Sequence, residues 1–566
     1  MPPFRNRSHG AVALPSPART RRKFLAALGA AGLGAAAVAR AAGMGGMGMG
    51  GMGMGAMPGM GGTSAMDTNQ SVAAAARFTR ELLIPPQLHG SPAEGALHYA
   101  LRIGAGQSEL LAGQMTPTWG FNGAVLGPTL RVPRGKAVRI AVHNTLDQST
   151  TVHWHGAHVP GQMDGGPQSL IPPGSTRQVH FTLQQPAATL WYHPHPDTRT
   201  GPHVYAGLSG LLLIDDPDDA RLGLPQNYGV DDIALIVQDR RIAADGRLLY
   251  MNEMMDRMGM KGDHFLVNGR EQPYWNAPAQ WVRLRLLNGA NARMFNLAFG
   301  DGREFHVIAT DGGLLPHPVP VRSLLLAPSE RAEILLDLRR DQGKKLVLRS
   351  DSAAVVPELS SMPMDADAFD RAGFDLLELR VGSPAGTSGR LPAALVPLPT
   401  LHADAAVRRF TLQGMMDDMM QRGMGGMGGM GGMGVPRSAS AHGPGGMSLG
   451  LGGAKLFSIN HHYMDMARID QRVRLGATEI WEVVNQGHMA HPFHYHGTSF
   501  QILSRNGRAP SAFEAGWKDT VLVRRGETVQ LIAHFGQPAH PAHPFMFHCH
   551  ILEHEDNGMM GQFTVT

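Results

Sequence analysis

Four histidine clusters and one cysteine carry the chemistry of this sequence. His153-Trp154-His155-Gly156 and His193-Pro194-His195 lie in its first half. His491-Pro492-Phe493-His494-Tyr495-His496-Gly497 and His548-Cys549-His550, followed by His554 and Met559, lie near its end. On a β-strand successive side chains alternate between faces, so both imidazoles of a His-x-His triplet point one way and the central residue the other. Four such pairs can bring eight imidazoles to one interface, enough for three metal ions. Cys549 then faces away from its two histidine neighbours and can join His491, His554 and Met559 in a separate site. Two imidazoles, a thiolate and a weak axial thioether are the ligand set of a blue copper centre. Zinc wants a closed tetrahedral set and has no use for two coupled sites. One His-x-His pair is readily a satisfied core histidine; four, one of them built around the only cysteine, are not explained that way.

The elements that must position these residues repeat. VRIAVHN ends at Asn144, VRLRLLN at Asn288 and EIWEVVN at Asn485. The first two alternate apolar and polar residues clearly, the signal of a half-buried strand, and the third less cleanly. Each is followed by a Pro/Gly/Ser turn and a further strand: PPGSTRQVHFTL, APSERAEILLDL and VRRGETVQLIAHF. Three copies of one β unit predict three similar domains, near 75–218, 219–390 and 391–566. Short strands with frequent Gly and Pro turns favour sandwiches. The middle copy carries Arg293-Met294-Phe295-Asn296 where the outer copies carry their first histidine cluster, so it reads as a spacer without metal.

At 566 residues with 43% hydrophobic residues, the chain is long enough for three packed cores. Residues 1–41 hold seven Arg and Lys and no acid, with Arg21-Arg22 before an apolar run from Leu25 to Val38 and Ala39-Arg40-Ala41 as a cleavage candidate. This reads as a twin-arginine signal peptide, which predicts a periplasmic protein exported already folded, with no stable membrane insertion. Without it the net charge of +4 becomes −3, which argues against a nucleic-acid surface. A lone thiol in an oxidising compartment needs protection, and a metal gives it.

On HWHG, HPH, HPFHYHG and HCHILEHEDNGMM the sequence resembles a three-domain multicopper oxidase of the laccase and cuprous oxidase superfamily, over roughly residues 75–566. The resemblance implies an all-β chain of three cupredoxin-like Greek-key sandwiches holding four copper ions. It implies a type 1 copper on His491, Cys549, His554 and Met559, and a type 2 copper on His153 and His494. It implies a type 3 pair on His155, His193, His195, His496, His548 and His550. Asp164, after HWHG, resembles the family's acid beside the type 2 copper, and Glu555 its second proton donor. Electrons would pass from the type 1 copper through Cys549, and O₂ would be reduced to water.

Two methionine tracts bear on the reductant. Residues 43–62 and 414–434 are Gly/Met repeats, the first inside a flexible 42–74 segment, the second inside an insert spanning about 414–450. Thioethers select Cu(I) over hard ions. Similar proteins with a Met-rich insert oxidise Cu(I) for copper tolerance, and their substrate site maps onto Met415, Met416, Asp418 and Met489. Its second Asp falls on Gly487, next to His488. Met251, Met254, Met255, Met258 and Met260 form a further cluster, read equally well as an amphipathic, partly buried segment. The leading expectation is a monomeric cuprous oxidase. A laccase-like oxidase of phenols and aromatic amines, and a copper-sequestering protein without enzymatic activity, are the alternatives.

Overall fold

The computed structural model describes residues 77–362, 365–386, 389–405, 407–414 and 456–566. The leader, the 42–74 segment, and Met415, Met416 and Asp418 lie outside the described residues. The fold is all-β: three cupredoxin-like sandwiches, with two sheets drawn from each of residues 87–215, 232–381 and 408–565. Each sandwich closes over its own buried apolar core. Among the described residues no helix is long and apolar enough to cross a membrane.

The repeat is the centre of every sandwich. Ala137–Asn144 lies parallel to Ala96–Leu111 and antiparallel to Thr176–Thr182. Trp281–Asn288 sits likewise between Asp232–Arg240 and Arg331–Asp337, and Thr478–Asn485 between Arg408–Gly414 and Thr528–His534. Parallel neighbours cannot be joined by a tight hairpin. The chain therefore crosses to the other sheet between them, which gives the Greek-key connection.

The shared Asn has a physical task. In each copy its Nδ2 donates to two backbone carbonyls, and its Oδ1 accepts the amide two residues on, all at 2.8–3.0 Å. The partners are Gln148, Ile171 and Leu146 for Asn144; Arg293, Leu326 and Ala290 for Asn288; Met489, Val523 and Gly487 for Asn485. The clamp fixes the loop that leads, in the outer sandwiches, into the first histidine strand. A second clamp escaped the sequence reading. Asn122, Asn268 and Asn460 each exchange two hydrogen bonds with the backbone of a neighbouring strand residue (Arg102, Ile236, Thr411) and donate a third to the carbonyl two residues before it.

One expectation is corrected. VRLRLLN does not lie half-exposed: every residue of Trp281–Asn288 is buried. Its polar face meets charge rather than water. Arg285 pairs with Asp232 at 2.7 Å and Glu333 at 2.8 Å and donates to Thr189 of the first sandwich; Arg283 pairs with Glu333 as well. Thr478–Asn485, expected to alternate less cleanly, does alternate over its first six residues.

Candidate metal centre

The eight expected imidazoles come together between the first and third sandwiches. In the first, His153–His155 pairs antiparallel with Thr189–His193, His153 opposite His193. In the third, His491–Tyr495 pairs with Phe545–Cys549, His494 opposite His548 and Phe493 opposite Cys549. The alternation holds. Trp154 turns into the first core against Phe181 and Tyr192, while His153 and His155 face the other way. The two halves interlock ring on ring: His153 stacks on His496 and His155 on His494, both at 3.8 Å. All eight rings are at most 1% exposed.

Their nitrogens sort into an outer set, tied to protein, and an inner set. His153 Nδ1 donates to Asp164 O at 3.0 Å, His193 Nδ1 to Pro194 O at 2.9 Å and His494 Nδ1 to Asp519 O at 2.7 Å. The inner nitrogens face each other. His195 Nε2 and His496 Nε2 lie 3.1 and 3.3 Å from His548 Nε2, and His155 Nδ1 lies 3.3 Å from His193 Nε2. Nε2 of His153 and of His494, and both ring nitrogens of His550, are buried with no hydrogen-bond partner. Orphaned buried nitrogens are costly in a protein interior. Metal–nitrogen bonds of about 2.0 Å set tetrahedral ligands roughly 3.3 Å apart, close to these separations. Burial, reinforced by neighbouring imidazoles, holds His155, His193, His494, His496 and His550 well below the usual histidine range. Burial likewise holds His195 at about 4. These six rings are therefore neutral, with lone pairs to give, and the donor set fits copper.

The thiol site lies on the back of the same strand. Cys549 Sγ is 3.5 Å from Nδ1 of both His491 and His554, which are 3.2 Å from each other. Met559 is fully buried in the same core cluster, its carbonyl accepting from Cys549 N at 3.1 Å and its amide donating to His554 O at 2.9 Å. Burial pushes the Cys549 thiol well above its ordinary range. A metal cation would reverse that, because a coordinating thiol loses its proton. His554 Nε2 donates to Met258 O at 3.2 Å, and Phe457 stacks on the His554 ring at 3.7 Å.

Both expected carboxylates border the cluster. Asp164 Oδ2 accepts from His496 Nδ1 at 2.7 Å and lies 3.4 Å from His153 Nδ1. Gly165, at φ 88°, makes this approach possible, since a Cβ there would sit 1.8 Å from Val152 O. Glu555 lies 3.1 Å from His548 Nδ1 and 3.6 Å from His195 Nδ1, and accepts from Thr200 Oγ1 at 2.5 Å. A third carboxylate was not anticipated. Asp519 Oδ1 lies 3.0 Å from His155 Nε2, which leaves Nδ1 of that ring for the cluster. Arg331, from the middle sandwich, grips both oxygens of Asp519 at 2.7 and 2.5 Å and donates to Thr189 O of the first sandwich at 3.0 Å. Gly156 makes room for this junction: a Cβ there would meet Asp519 Oδ2 at 2.5 Å and Arg331 Nη2 at 2.8 Å. The middle sandwich, expected to be a spacer, thus braces the cluster. No motif surrounds Asp519 or Arg331; only the pairing of buried charges across sandwiches reveals them.

A small cavity of about 50 Å³ adjoins the thiol site, lined by Met258, Met294, Met489, Asp365 and Ile551 among others. Its Met258 comes from the cluster read as equally well amphipathic. That segment divides, with Met260 fully buried and Met255 exposed. Asp365 Oδ1 is buried without a hydrogen-bond partner, and Asp365 Oδ2 lies 3.5 Å from His488 Nε2. Of the expected substrate residues, the structure thus places Met489 at this cavity.

Comparison with known proteins agrees. Two multicopper oxidase family models match residues 102–219 and 445–566. The multicopper oxidase mco of Staphylococcus haemolyticus is 34% identical over 476 residues, 83% of this chain and 89% of that protein. The cell division protein FtsP of Xenorhabdus nematophila is 34% identical over 489 residues, 86% of this chain and 92% of that one. Among solved structures, the laccase-like multicopper oxidase CueO from Ochrobactrum sp. has a TM-score of 0.72 at 36% identity, covering 86% of this chain and all of that one. A Campylobacter jejuni multicopper oxidase, described as a metallo-oxidase, has a TM-score of 0.72 at 29% identity, covering 86% and 96%. Similarity of this depth, spread over more than four-fifths of the sequence, settles descent: the chain belongs to the multicopper oxidase family.

Proposed function

We propose that this protein is a four-copper oxidase that takes single electrons from Cu(I) and passes four of them to O₂. The balance is four Cu(I), one O₂ and four protons giving four Cu(II) and two waters. The observation that carries this reading is the position of Cys549. Its sulfur lies between His491 and His554, while its own backbone carries His548 and His550 into the eight-imidazole cluster. Type 1 copper would be held by His491, Cys549, His554 and Met559, type 2 by His153 and His494, and the type 3 pair by the other six histidines. Copper bound there supplies the one-electron storage that reduction of O₂ by four electrons demands. The protein's own residues do the rest. Asp164 and Glu555 touch ring nitrogens on the outer side of the cluster, where a carboxylate can orient the imidazole and pass protons inward. Asp519 fixes which nitrogen His155 offers.

The choice of Cu(I) rests on the cavity beside His554 together with the methionine tracts of the sequence. Three thioethers, the carboxylates of Asp365 and Asp370 and the Lys261 ammonium line it; Asp370 is held by Lys261 and Arg293, and Asp365 Oδ1 is the oxygen left without a partner, so the thioethers with Asp365 offer a soft donor set for Cu(I). Asp365 supplies the carboxylate that Gly487 lacks. A space of about 50 Å³ is small beside the roughly 150 Å³ of an apolar cavity that binds benzene, and so favours an ion over a phenol. The Met258 carbonyl, bonded to His554, links the cavity to the thiol site.

A laccase-like activity is the second reading. The Ochrobactrum protein is described as acting on lignin model compounds and lignosulfonate. The FtsP relatives are named cell division proteins, which adds a third reading outside oxidation; the complete buried donor set disfavours it. Steady-state O₂ uptake with Cu(I) as sole donor, beside a model phenol, decides among them. Removal of residues 414–450 should lower the Cu(I)-to-phenol turnover ratio, and an unchanged ratio would point to a laccase. A protein that takes up no copper and shows no thiolate-to-copper absorption would be no oxidase at all.

A further inference from the structure

A knot of charged side chains lies beside the thioether cavity. Arg293 is fully buried, in the place where the outer sandwiches carry their first histidine. Its guanidinium donates to Asp239 Oδ2 at 2.7 Å, to Asp370 Oδ1 at 2.7 Å and to Asp367 Oδ2 at 2.6 Å, and packs against the rings of Phe265 and Phe374. Lys261, next to the buried Met260, joins the same knot. Its Nζ donates to Asp370 Oδ2 at 2.7 Å and to the backbone carbonyl of Asp365 at 2.6 Å. Of these charged residues, Lys261, Asp365 and Asp370 line the cavity.

Two carboxylates in one small cavity would suit a divalent ion, since hard oxygen donors and doubled charge both favour it. The knot takes one of them away. Asp370 already has Arg293 on one oxygen, so the Lys261 ammonium on the other is more than pairing requires. Asp365 keeps its Oδ1 without a hydrogen-bond partner, while its Oδ2 accepts from Ser360 Oγ. The cavity therefore presents one open carboxylate oxygen with an ammonium held at the backbone of the same residue. A space of about 50 Å³ keeps that ammonium close to any ion inside it. Its repulsion grows with the charge of the ion and is twice as strong for a dication as for a monocation at the same point. Where Cu(I) is the reductant, that is the difference between substrate and product.

We propose that Lys261 sets the charge selectivity of this cavity: its ammonium disfavours Cu(II) more than Cu(I), so the site takes the substrate ion and sheds the product. This rests on the Cu(I) reading of the cavity. The test uses the full-length enzyme loaded with its core copper, with Ag(I) as a redox-inert ion of the substrate's charge and added Cu(II) as the product. Equilibrium dialysis measures the binding of each, and the part lost in Asp365→Asn is assigned to the cavity. Lys261→Met keeps the stem and removes the charge. It should raise the cavity's affinity for Cu(II) about tenfold and for Ag(I) about threefold, the square root, because the lost repulsion is proportional to ionic charge. Inhibition of Cu(I)-driven O₂ uptake by added Cu(II) should strengthen in step. Lys261→Arg, which keeps the charge, should leave both affinities near wild type. A lysine that only holds Asp370 and the Asp365 carbonyl in place predicts weaker binding of both ions in Lys261→Met. That result, or an unchanged ratio of Cu(II) to Ag(I) affinity, overturns the assignment. Lys261→Gln is expected to behave as Lys261→Met and replaces it if that variant loses the thiolate-to-copper absorption. Wild type without Asp365-dependent Ag(I) binding would instead overturn the Cu(I) reading of the cavity, and the selectivity with it.

Discussion

The carboxylate of Asp164 accepts a hydrogen bond of 2.7 Å from Nδ1 of His496, 332 positions later in the chain. The same oxygen lies 3.4 Å from Nδ1 of His153. One acid from the first sandwich therefore steers a ring from each side of the interface, and those two rings are stacked. A group so placed can hold the rings in register and hand protons to the cluster. Asp164→Asn should lower kcat for O₂ reduction by about 10²-fold or more, the range for loss of a positioned acid or base. Copper content and thiolate absorption should remain near wild type. A variant of unaltered kcat across the pH range would remove Asp164 from proton delivery, and loss of copper would reassign it to metal retention.

Asp519 acts on the other half of the cluster through geometry alone. It ties His155 Nε2 while Arg331 neutralises it across the sandwich boundary. Removing outer partners of a metal-bound histidine costs about 10- to 100-fold in metal affinity. Asp519→Asn should thus release cluster copper to a chelator sooner than wild type, with the type 1 absorption intact. Arg331→Met leaves a buried charge uncompensated and should destabilise the fold by about 3–5 kcal/mol. Thermal melts of the copper-free protein would expose that difference. Equal melting of wild type and variant would mean that the middle sandwich braces nothing.

The thioether cavity makes a separable prediction. Asp365→Asn and Met489→Leu should each reduce kcat/KM for Cu(I) roughly tenfold, the equivalent of about 1.4 kcal/mol of binding. Turnover of a small aromatic donor, which a cavity of this size disfavours, should change far less. Parallel losses for both donors would show that the substitutions had disturbed His554 through Met258 rather than a docking site.

What the amino-acid sequence discloses here is what strand periodicity and rare residues disclose. The His-x-His spacing puts Trp154 on the opposite face from His153 and His155, because alternation on a strand is a local property. Cys549 stood out because it is unique. The buried face of VRLRLLN was hidden, because Arg283 and Arg285 read as solvent-facing until Glu333 and Asp232 arrive from strands distant in sequence. Asp519 was hidden for the same reason: Lys518-Asp519-Thr520 looks like any loop, and its partners come from the other two sandwiches. The Asn268-Gly269 turn resembles countless others, and only superposing it on Asn122 and Asn460 shows a clamp. Asp365 could not be found by aligning a motif, since it reaches the cavity from a segment about 120 residues before Gly487.

Acid should separate the copper-free protein from the loaded one. Burial depresses His195, His158 and His203 to about 4. The same desolvation, with imidazole neighbours, holds His155, His193, His494, His496 and His550 well below the usual histidine range. In the unfolded chain these rings titrate near 6.5. Below that value the unfolded state binds more protons than the native state, so stability falls as pH falls. Each such histidine contributes a slope of up to about 1.4 kcal/mol per pH unit between 6.5 and its native value. With several acting together, the copper-free protein should lose its melting transition within roughly two pH units below 6.5. Bound copper would occupy the lone pairs of the cluster histidines among these and add its binding energy to the native state alone, so the loaded protein should hold its melting temperature further into acid before metal and fold are lost together. Differential scanning calorimetry of both forms from pH 7 to 4 checks this. Parallel pH dependences would show that the buried imidazoles are protonated, and paired, in the native state without metal.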